Sequence, residues 1–463
     1  MATVEELKNE LFYNPKNAAL TVAEDEISKA DNFSEKYKKF LNNAKTEREA
    51  VEAVVKEAKE KGFTEFNPDN KYSAGEKFYY INRDKAVILC VKGKKSLKEG
   101  VKIAAAHIDS PRLDLKPNPL YESDEVALFK THYYGGIKKY QWVAIPLAIH
   151  GVIMKKDGTR VTVKIGEEEG EPKFVISDIL PHLGSEQAKR SILEGIAGEE
   201  LNVIVGSRPF KSDEGSELVK LNILKLLNEK YGIVESDFLS AELEVVPAFK
   251  ADDIGFDRGL IGSYGHDDRV CAYPASEAIF DVENPEYTIV TVLTDKEETG
   301  SEGNTGLQSS YLKYFIAYLA KAEGLEVYQV LSHSECLSAD VNAAYDPTFS
   351  SQFEKNNSSY LNKGVVITKY TGSRGKSGTS DASAEFMGKI RTLLDKADVV
   401  WQIGELGKVD AGGGGTVAKF VADLDIDTVD LGVPVLSMHA PFEVVSKLDV
   451  YMAYRAFVEF FKQ

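Results

Sequence analysis

Residues 287–301 read YTIVTVLT followed by DKEETGS. The first eight residues are β-branched, aromatic or aliphatic, and this composition predicts a buried strand. The carboxylates of Asp295, Glu297 and Glu298 follow at once, before a glycine turns the chain. Adjacent carboxylates at the end of a buried strand repel one another and lose hydration, so a compensating cation is expected there. A metal ion would serve, although an ordinary acidic loop explains this segment alone equally well.

The composition of the chain limits the kinds of protein that it can be. The 463 residues are 43% hydrophobic and 28% charged, with a net charge of −17. These fractions are typical of a folded globular protein, and the length suggests about two or three domains. The negative charge argues against nucleic acid as a partner, because that affinity rests on Lys and Arg. It also argues against anionic membrane surfaces.

The cysteines and the first residues indicate a compartment. Cys90, Cys271 and Cys336 are widely spaced and odd in number, which predicts reduced thiols and no disulfide framework. Residues 1–7 carry acids where a secretory signal needs cations, and no apolar run approaches the ~20 residues of a membrane span. The sequence therefore predicts a cytoplasmic protein.

Helical and strand patterns alternate on both sides of residues 287–301, which predicts an α/β fold with a central, mostly parallel sheet flanked by helices. Further strands are expected at 101–106 and 327–331, and a closing helix at 442–461. Residues 121–246 differ, because short alternating runs and turns there predict a mostly-β insertion. The predicted division is 1–120 and 247–463 for the α/β domain, and 121–246 for the insertion.

Five separate strand ends or loops carry a candidate metal ligand, and the five residues are His107, Asp267, Glu298, Asp340 and His439. Open α/β sheets bind their ligands at such strand ends. Two histidines and three carboxylates suit two divalent ions that share one carboxylate. The expected metal is Zn²⁺, and Co²⁺ and Mn²⁺ accept the same donors.

Glu297 and Asp109 are candidates for handling protons and orienting a ligand. Glu297 adjoins a candidate ligand on the other side of the turn, so it could act as general base toward a metal-bound water, generating a hydroxide. A single histidine such as His107 is more often a core or loop residue. Asp109 lies two residues further on, a spacing that lets its carboxylate fix the tautomer of a metal-bound imidazole.

Five motifs, in order, carry a family resemblance. They are His-x-Asp-Ser-Pro at 107–111, Asp-Asp-Arg at 267–269, Asp-Lys-Glu-Glu-Thr-Gly-Ser at 295–301, Ser-Ala-Asp at 338–340 and Ser-Met-His-x-Pro at 437–441. Over nearly its whole length the chain resembles the aspartyl aminopeptidase family of dinuclear zinc exopeptidases. The resemblance implies a zinc exopeptidase-like fold, release of N-terminal residues from peptides, and a large homo-oligomer, typically a tetrahedral dodecamer.

The resemblance also implies a role for each site residue. His107 and His439 would be terminal ligands, one per metal, and Asp267 would bridge the two ions. Glu298 and Asp340 would complete the ligand sets. Glu297 would be the general base, and Asp109 would orient His107. Residues 121–246 would be the family's inserted dimerisation domain.

The sequence departs from the family pattern at two places. His266 and Asp268 flank Asp267 where the family more often has Leu and Asn. Asp267 is assigned as the bridge because it is the first acid of the pair, with Asp268 as the alternative, and His266 is either a supporting group or an ordinary loop residue. A glycine run at 412–415 followed by Thr416 replaces a Gly-Ser-Thr motif, which leaves its contact with the substrate backbone open.

Three residues are candidates for substrate binding. His182 lies in a Pro-His-Leu-Gly segment resembling a family motif whose histidine reaches a neighbouring subunit's active site. Arg374 and Lys376 could bind an acidic substrate side chain, although either one alone could be a solvated loop charge. The sequence thus predicts a metal-dependent aminopeptidase, with acidic N-terminal residues as one preference. The alternatives are a related dinuclear amidohydrolase acting on blocked amino acids and a non-catalytic scaffold or cargo protein of the same fold.

Overall fold

The computed structural model describes residues 2–463. This part of the chain contains ten α-helices and 23 strands, numbered here along the chain. The helices are α1 (Val4–Leu11), α2 (Glu24–Asn43), α3 (Glu47–Glu60), α4 (Leu218–Tyr231), α5 (His266–Asp281), α6 (Tyr311–Ala322), α7 (Val327–Leu331), α8 (Ala384–Lys396), α9 (Ala418–Ala422) and α10 (Lys447–Phe461).

A nine-stranded sheet forms the larger core. Its strands, in spatial order, are β1 (Thr64–Glu65), β2 (Lys77–Asn82), β3 (Ala86–Val91), β14 (Thr288–Thr294), β4 (Val101–His107), β15 (Glu335–Ser338), β21 (Asp427–Gly432), β17 (Val365–Thr368) and β19 (Trp401–Ile403). Five neighbouring pairs are parallel and three are antiparallel. The sheet is therefore mixed, with a parallel centre formed by β14, β4, β15 and β21.

The central strands are buried on both faces, which explains their continuous apolar sequences. Along β3, Val87 and Leu89 belong to one core cluster, whereas Ile88 and Cys90 belong to the other. Helices α2, α3, α5, α8 and α10 contribute to the first cluster, and α6, α7 and α9 to the second. The result is a three-layer α/β/α arrangement.

A seven-stranded antiparallel sheet forms a second core. Its strands, in spatial order, are β8 (Arg160–Ile165), β7 (Leu147–Met154), β11 (Ala241–Pro247), β5 (Arg112–Ser123), β6 (Val126–Tyr134), β10 (Asn202–Gly206) and β9 (Val175–Ile176). The predicted boundary at residue 121 falls inside β5. Pro117 and Pro119 lie where the pairing with β6 shifts register between Leu115 and Leu120, so they belong to a bulge within the strand, where proline is tolerated.

Two smaller sheets border the nine-stranded one. The first has five strands, β12 (Asp252–Ile254), β13 (Leu260–Ser263), β23 (Glu443–Ser446), β22 (Pro434–Leu436) and β16 (Asn342–Ala343). The second pairs β18 (Gly372–Ser373) with β20 (Gly413–Gly414). This pairing joins the two glycine-rich loops of the sequence.

Two segments differ from the sequence-based prediction. Residues 327–331, predicted as a strand, form α7, because the Gln329 side chain accepts the Glu326 N–H at 2.9 Å and starts a helix. Residues 442–461, predicted as one helix, begin with β23 instead. Helix α10 starts only at Lys447, where the Ser446 hydroxyl accepts the Asp449 N–H as an N-cap.

Two other expectations concern thiols and membranes. Cys90, Cys271 and Cys336 are buried free thiols, so the prediction of reduced cysteines is confirmed. Between residues 2 and 463, no helix combines the length and the apolar character needed to cross a membrane.

Candidate metal centre

Three of the five candidate ligands lie at or beyond the carboxyl ends of adjacent parallel strands. His107 ends β4, Glu298 follows β14 and Asp340 follows β15, and His107 pairs in register with Thr294 of β14. Because these strands run parallel side by side, the segments that follow them meet at one edge of the sheet. Asp267, at the start of α5, and His439, between β22 and β23, reach the same place from outside the sheet.

Asp267 lies between the two histidines. Its Oδ1 is 3.1 Å from Nε2 of His107, and its Oδ2 is 3.2 Å from Nε2 of His439. Oδ1 of Asp340 is 3.7 Å from the same His107 nitrogen. Oε1 of Glu298 is 3.6 Å from the His439 nitrogen. The site thus has two halves, each with its own histidine and carboxylate, and Asp267 is common to both.

Burial disfavours the charged forms of the Glu298 and Asp340 carboxyl groups. Oε1 of Glu298 is buried without a hydrogen-bond partner among the described residues. Burial, followed by the negative charge of Asp267, raises the pKa of Glu298 well above its usual range. Burial likewise raises the pKa of Asp340. Imidazole nitrogens and crowded carboxylates are donors that zinc takes, so these residues fit divalent cations.

Asp268, the alternative to Asp267, is buried beside the His107 half. Within residues 2–463 neither of its carboxylate oxygens has a hydrogen-bond partner. One of them joins His107 and Asp340 in a group of potential ligand atoms that lie within 4.8 Å of one another. The corresponding group around His439 contains Asp267 instead. The distances of 3.1 and 3.2 Å from Asp267 to the two histidines make Asp267 the better candidate for a shared ligand.

The fully buried Asp109 carboxylate organises the His107 half. Nδ1 of His107 lies 3.0 Å from the Asp109 carbonyl oxygen and 3.3 Å from its Oδ1. The backbone N–H groups of Glu297 and Glu298 donate to this carboxylate at 3.1 and 3.2 Å. The Tyr134 hydroxyl donates to it at 2.7 Å. One side chain thus holds a histidine ring and the turn carrying both glutamates.

Glu297 borders the cluster and lines its cavity. Its Oε2 lies 3.9 Å from Nε2 of His107. Burial and the negative charge of Asp340 raise the pKa of Glu297 to about 8. A carboxyl group with a pKa in this range can both accept and release a proton near neutral pH.

Glu443 and Gly136 are site residues that the sequence reasoning missed. Oε2 of Glu443 accepts the Asp267 N–H at 3.1 Å, and its Oε1 accepts the His439 N–H at 2.7 Å. Nδ1 of His439 donates to the Gly136 carbonyl at 2.8 Å. All three bonds involve backbone groups, which leave no side-chain pattern. The one available signal was an acid in the apolar run that follows His439.

The site opens into a cavity of about 540 Å³, lined by Asp267, Glu297, Glu298, Asp340 and His439 together with loop residues. Arg374 and Lys376 line the same cavity from an exposed loop. Lys376 forms a 2.7 Å salt bridge with Asp381, and its ammonium lies 3.7 Å from the ring centroid of Tyr370. Its charge is therefore partly engaged within the protein.

Two other histidines lie away from the cluster. His182 is exposed in the short 3₁₀-helix Pro181–Leu183, outside the cavity of its own chain. His266 is a core residue, bonded to the Tyr37 hydroxyl at 2.8 Å and to the Ile261 carbonyl at 3.2 Å. Burial lowers the pKa of His266 to about 3. A substrate contact by His182 would require a second subunit.

Histidines and carboxylates gathered beside a cavity at the edge of parallel strands are typical of metallohydrolases. The chain belongs to the M18 family, aminopeptidase I zinc metalloproteases, whose family model matches residues 40–461. It is 49% identical to a probable M18 family aminopeptidase 1 of Clostridium acetobutylicum, over 96% of this chain and 97% of that protein.

Solved structures agree with this assignment. The crystal structure of an M18 aminopeptidase from Thermotoga maritima matches with a TM-score of 0.93 and 44% identity, over 97% of this chain and all of that one. The mApe1 dodecamer of S. cerevisiae shares the fold, with a TM-score of 0.77 and 21% identity over 94% of this chain and 97% of that one. The family predicted from the motifs, a zinc metalloprotease family of aminopeptidases, is confirmed.

Proposed function

We propose that the protein is a dinuclear zinc aminopeptidase that removes N-terminal residues from peptides. The observation that carries the proposal is the position of Asp267 between two pairs, His107 with Asp340 and His439 with Glu298. Each pair could offer a nitrogen and an oxygen donor to one ion, and Asp267 could offer an oxygen to each half of the site. Zn²⁺ is the expected metal, and Co²⁺ or Mn²⁺ suits the same donors.

When bound, zinc supplies the Lewis acidity that polarises a substrate carbonyl and activates water. Glu297 then takes the proton of the attacking water on its carboxylate and delivers it to the leaving amine. Its position supports this role, because Oε2 of Glu297 lies 3.9 Å from Nε2 of His107 on the wall of the cavity. Asp109 keeps Glu297 in place through the Glu297 N–H.

The family supports action on a free amino terminus. The matching family and the similar bacterial proteins are described as aminopeptidases. This membership favours an aminopeptidase over an amidohydrolase for blocked amino acids. The complete set of donors and base argues against a non-catalytic scaffold.

Paired peptides with free and acetylated N-termini test this function. We expect cleavage of the free peptides alone by the zinc-loaded protein. Glu297→Gln should retain zinc and lose turnover by about 10²–10⁴-fold, whereas the nearby exposed Glu302→Gln should behave like the wild type. If the metal-loaded protein cleaves no free peptide, or if Glu297→Gln is fully active, the proposal is wrong.

We also propose a homo-oligomer in which the seven-stranded sheet carries contacts between subunits and His182 reaches a neighbour's cavity. Two observations support it: His182 is exposed outside the cavity of its own chain, and a protein of the same fold is described as a dodecamer. Light scattering should give the mass of a dodecamer. A monomer at working concentration would contradict the assembly without affecting the proposed chemistry.

A further inference from the structure

We propose that residues 134–136, the last residue of β6 in the seven-stranded sheet and the two glycines after it, position both histidines of the metal centre. The inference rests on the proposed function and adds positioning residues to it. The segment touches the outer ring nitrogen of His439 directly and that of His107 through Asp109. His107 ends β4 of the nine-stranded sheet, whereas His439 lies between β22 and β23 of the five-stranded sheet.

The first contact runs from Tyr134 to His107. The Tyr134 hydroxyl donates to Oδ2 of Asp109 at 2.7 Å, and Oδ1 of the same carboxylate lies 3.3 Å from Nδ1 of His107. The other donors to this carboxylate are backbone N–H groups, so Tyr134 is the one side-chain hydroxyl among them. Nδ1 of His107 also lies 3.0 Å from the Asp109 carbonyl oxygen. The hydrogen bond of Tyr134 therefore holds a residue that contacts the His107 ring through both its carbonyl and its carboxylate.

The seven-stranded sheet sets the position of the Tyr134 ring. The guanidinium carbon of Arg112 lies 3.9 Å from the ring centroid. Arg112 is buried and pairs with Asp114 at 2.8 Å and with Glu244 at 3.2 Å. These residues belong to β5 and β11. The phenol is therefore held by neighbouring strands of its own sheet.

The second contact runs from Gly136 to His439. The Gly136 carbonyl accepts the Nδ1–H of His439 at 2.8 Å, which leaves Nε2 free to face Asp267. The approach is close, since a Cβ at position 136 would lie 3.2 Å from that Nδ1. Gly135, with a φ of 75°, lets the chain turn between the two contacts.

Such outer hydrogen bonds select the tautomer and fix the orientation of a metal-binding imidazole, and their loss typically lowers metal affinity about 10- to 100-fold. Both histidines receive this support from one short segment at the end of β6, a strand of the seven-stranded sheet, which carries neither histidine. The seven-stranded sheet therefore contributes to metal affinity within a single subunit, independently of any part in assembly.

Tyr134→Phe tests the first contact. Tyr133→Phe is its matched control, because Tyr133 immediately precedes Tyr134 in β6 and is 42% exposed. Competition with a chromophoric chelator should show zinc bound about 10- to 100-fold more weakly in Tyr134→Phe and unchanged in Tyr133→Phe. The visible absorption of Co²⁺-loaded protein reports ligand geometry directly. It should change in Tyr134→Phe and match the wild type in Tyr133→Phe.

Gly136→Ala tests the second contact, because the added methyl group would displace the ring of His439. Gly195→Ala is its control, since a Cβ there would have no neighbour closer than 3.6 Å. We expect weaker zinc binding and an altered cobalt spectrum in Gly136→Ala alone. If circular dichroism shows that Tyr134→Phe does not fold, Gly136→Ala still tests whether residues 134–136 position the histidines.

The inference is overturned if the folded test variants bind zinc as the wild type does, with unchanged cobalt spectra, or if the controls weaken binding as much. A wild-type protein that binds no zinc or cleaves no peptide would overturn the proposed function instead. Zinc binding and peptide cleavage by the wild type together with unaffected variants would overturn the positioning role alone.

Discussion

Oε2 of Glu443 accepts a 3.1 Å hydrogen bond from the backbone N–H of Asp267. The other oxygen of the same carboxylate accepts a 2.7 Å hydrogen bond from the backbone N–H of His439. Burial raises the pKa of Glu443 to about 8, because the charged carboxylate loses its hydration in the protein interior. One buried side chain thus sets the distance between a candidate shared ligand and a candidate terminal ligand.

Glu443→Ala should weaken the site without touching a donor atom. Both backbone N–H groups lose their acceptor, at a cost of about 1–3 kcal/mol for each group left unsatisfied. Glu443→Gln keeps one acceptor oxygen, so its zinc-induced rise in Tm should lie between those of the wild type and Glu443→Ala. Thermal unfolding with and without added zinc measures the effect, and we expect a smaller zinc-induced rise in Tm for the alanine variant. An equal zinc-induced rise in Tm in the wild type and both variants would refute a role of Glu443 at the metal site.

Glu298→Gln should lose metal first, in contrast to Glu297→Gln. Its Oε1 is buried and lacks a protein partner in the described part of the chain, so a bound cation would account for its burial. An amide carries no charge, and we expect zinc affinity to fall at least about 10-fold. Metal analysis after dialysis checks this. Two zinc ions retained per chain would argue against Glu298 as a ligand.

Arg374 should contribute more than Lys376 to any preference for acidic N-terminal residues. Lys376 already pairs with Asp381, whereas Arg374 lines the cavity from an exposed position. A charged hydrogen bond contributes about 1.5–3 kcal/mol. Arg374→Ala should therefore lower kcat/KM for an acidic substrate about 10-fold or more and leave a neutral substrate unaffected.

Steady-state kinetics on peptides that differ only in the first residue would measure this effect. The exposed Arg391→Ala on α8 serves as the control. Equal losses on acidic and neutral peptides would rule out a role of Arg374 in specificity.

Glu277 on α5 should make stability depend on pH. Burial, followed by the charge of Glu57, raises the pKa of Glu277 from its usual value of 4.5 to about 8. Between these values the native state holds a proton that the unfolded state has released, so the free energy of unfolding falls as pH rises. Above about 8 the loss is complete. Glu277→Gln removes this dependence.

Urea unfolding at pH 5.5 and pH 8.5 would test it. Relative to the wild type, Glu277→Gln should gain on the order of 1–3 kcal/mol at the higher pH. The exposed Glu60→Gln on α3 is the control. Parallel profiles for the wild type and Glu277→Gln would mean that Glu277 is ionised in the native state.

The candidate ligands could be located from the sequence because most of them follow an apolar strand. His107 and Glu298 come directly after runs that must be buried, and parallel strands bring their ends together. Tyr134, Gly136 and Glu443 could not be located in this way. Their contacts cross between sheets or reach backbone groups, and neither relation has a periodic signal in the chain.

The errors in the fold have equally local causes. Residues 327–331 are too short for hydrophobic periodicity to separate helix from strand, and the deciding contact is the Gln329 side chain. Proline usually ends a strand, so Pro117 and Pro119 favour a domain boundary near residue 121. In the structure they lie in a bulge within β5. In both cases tertiary pairing overrides the local pattern.

The order of the ligands along the chain also bears on biosynthesis. The candidate donors extend from His107 to His439, and β4 pairs with β14 and β15 from much later in the sequence. Domains fold as their residues emerge during translation, so the strand that ends in His107 must wait for both of its neighbours. Neither half of the centre is whole before Asp340 and His439 have left the ribosome. A growing chain would thus carry no working protease beside other unfolded nascent proteins.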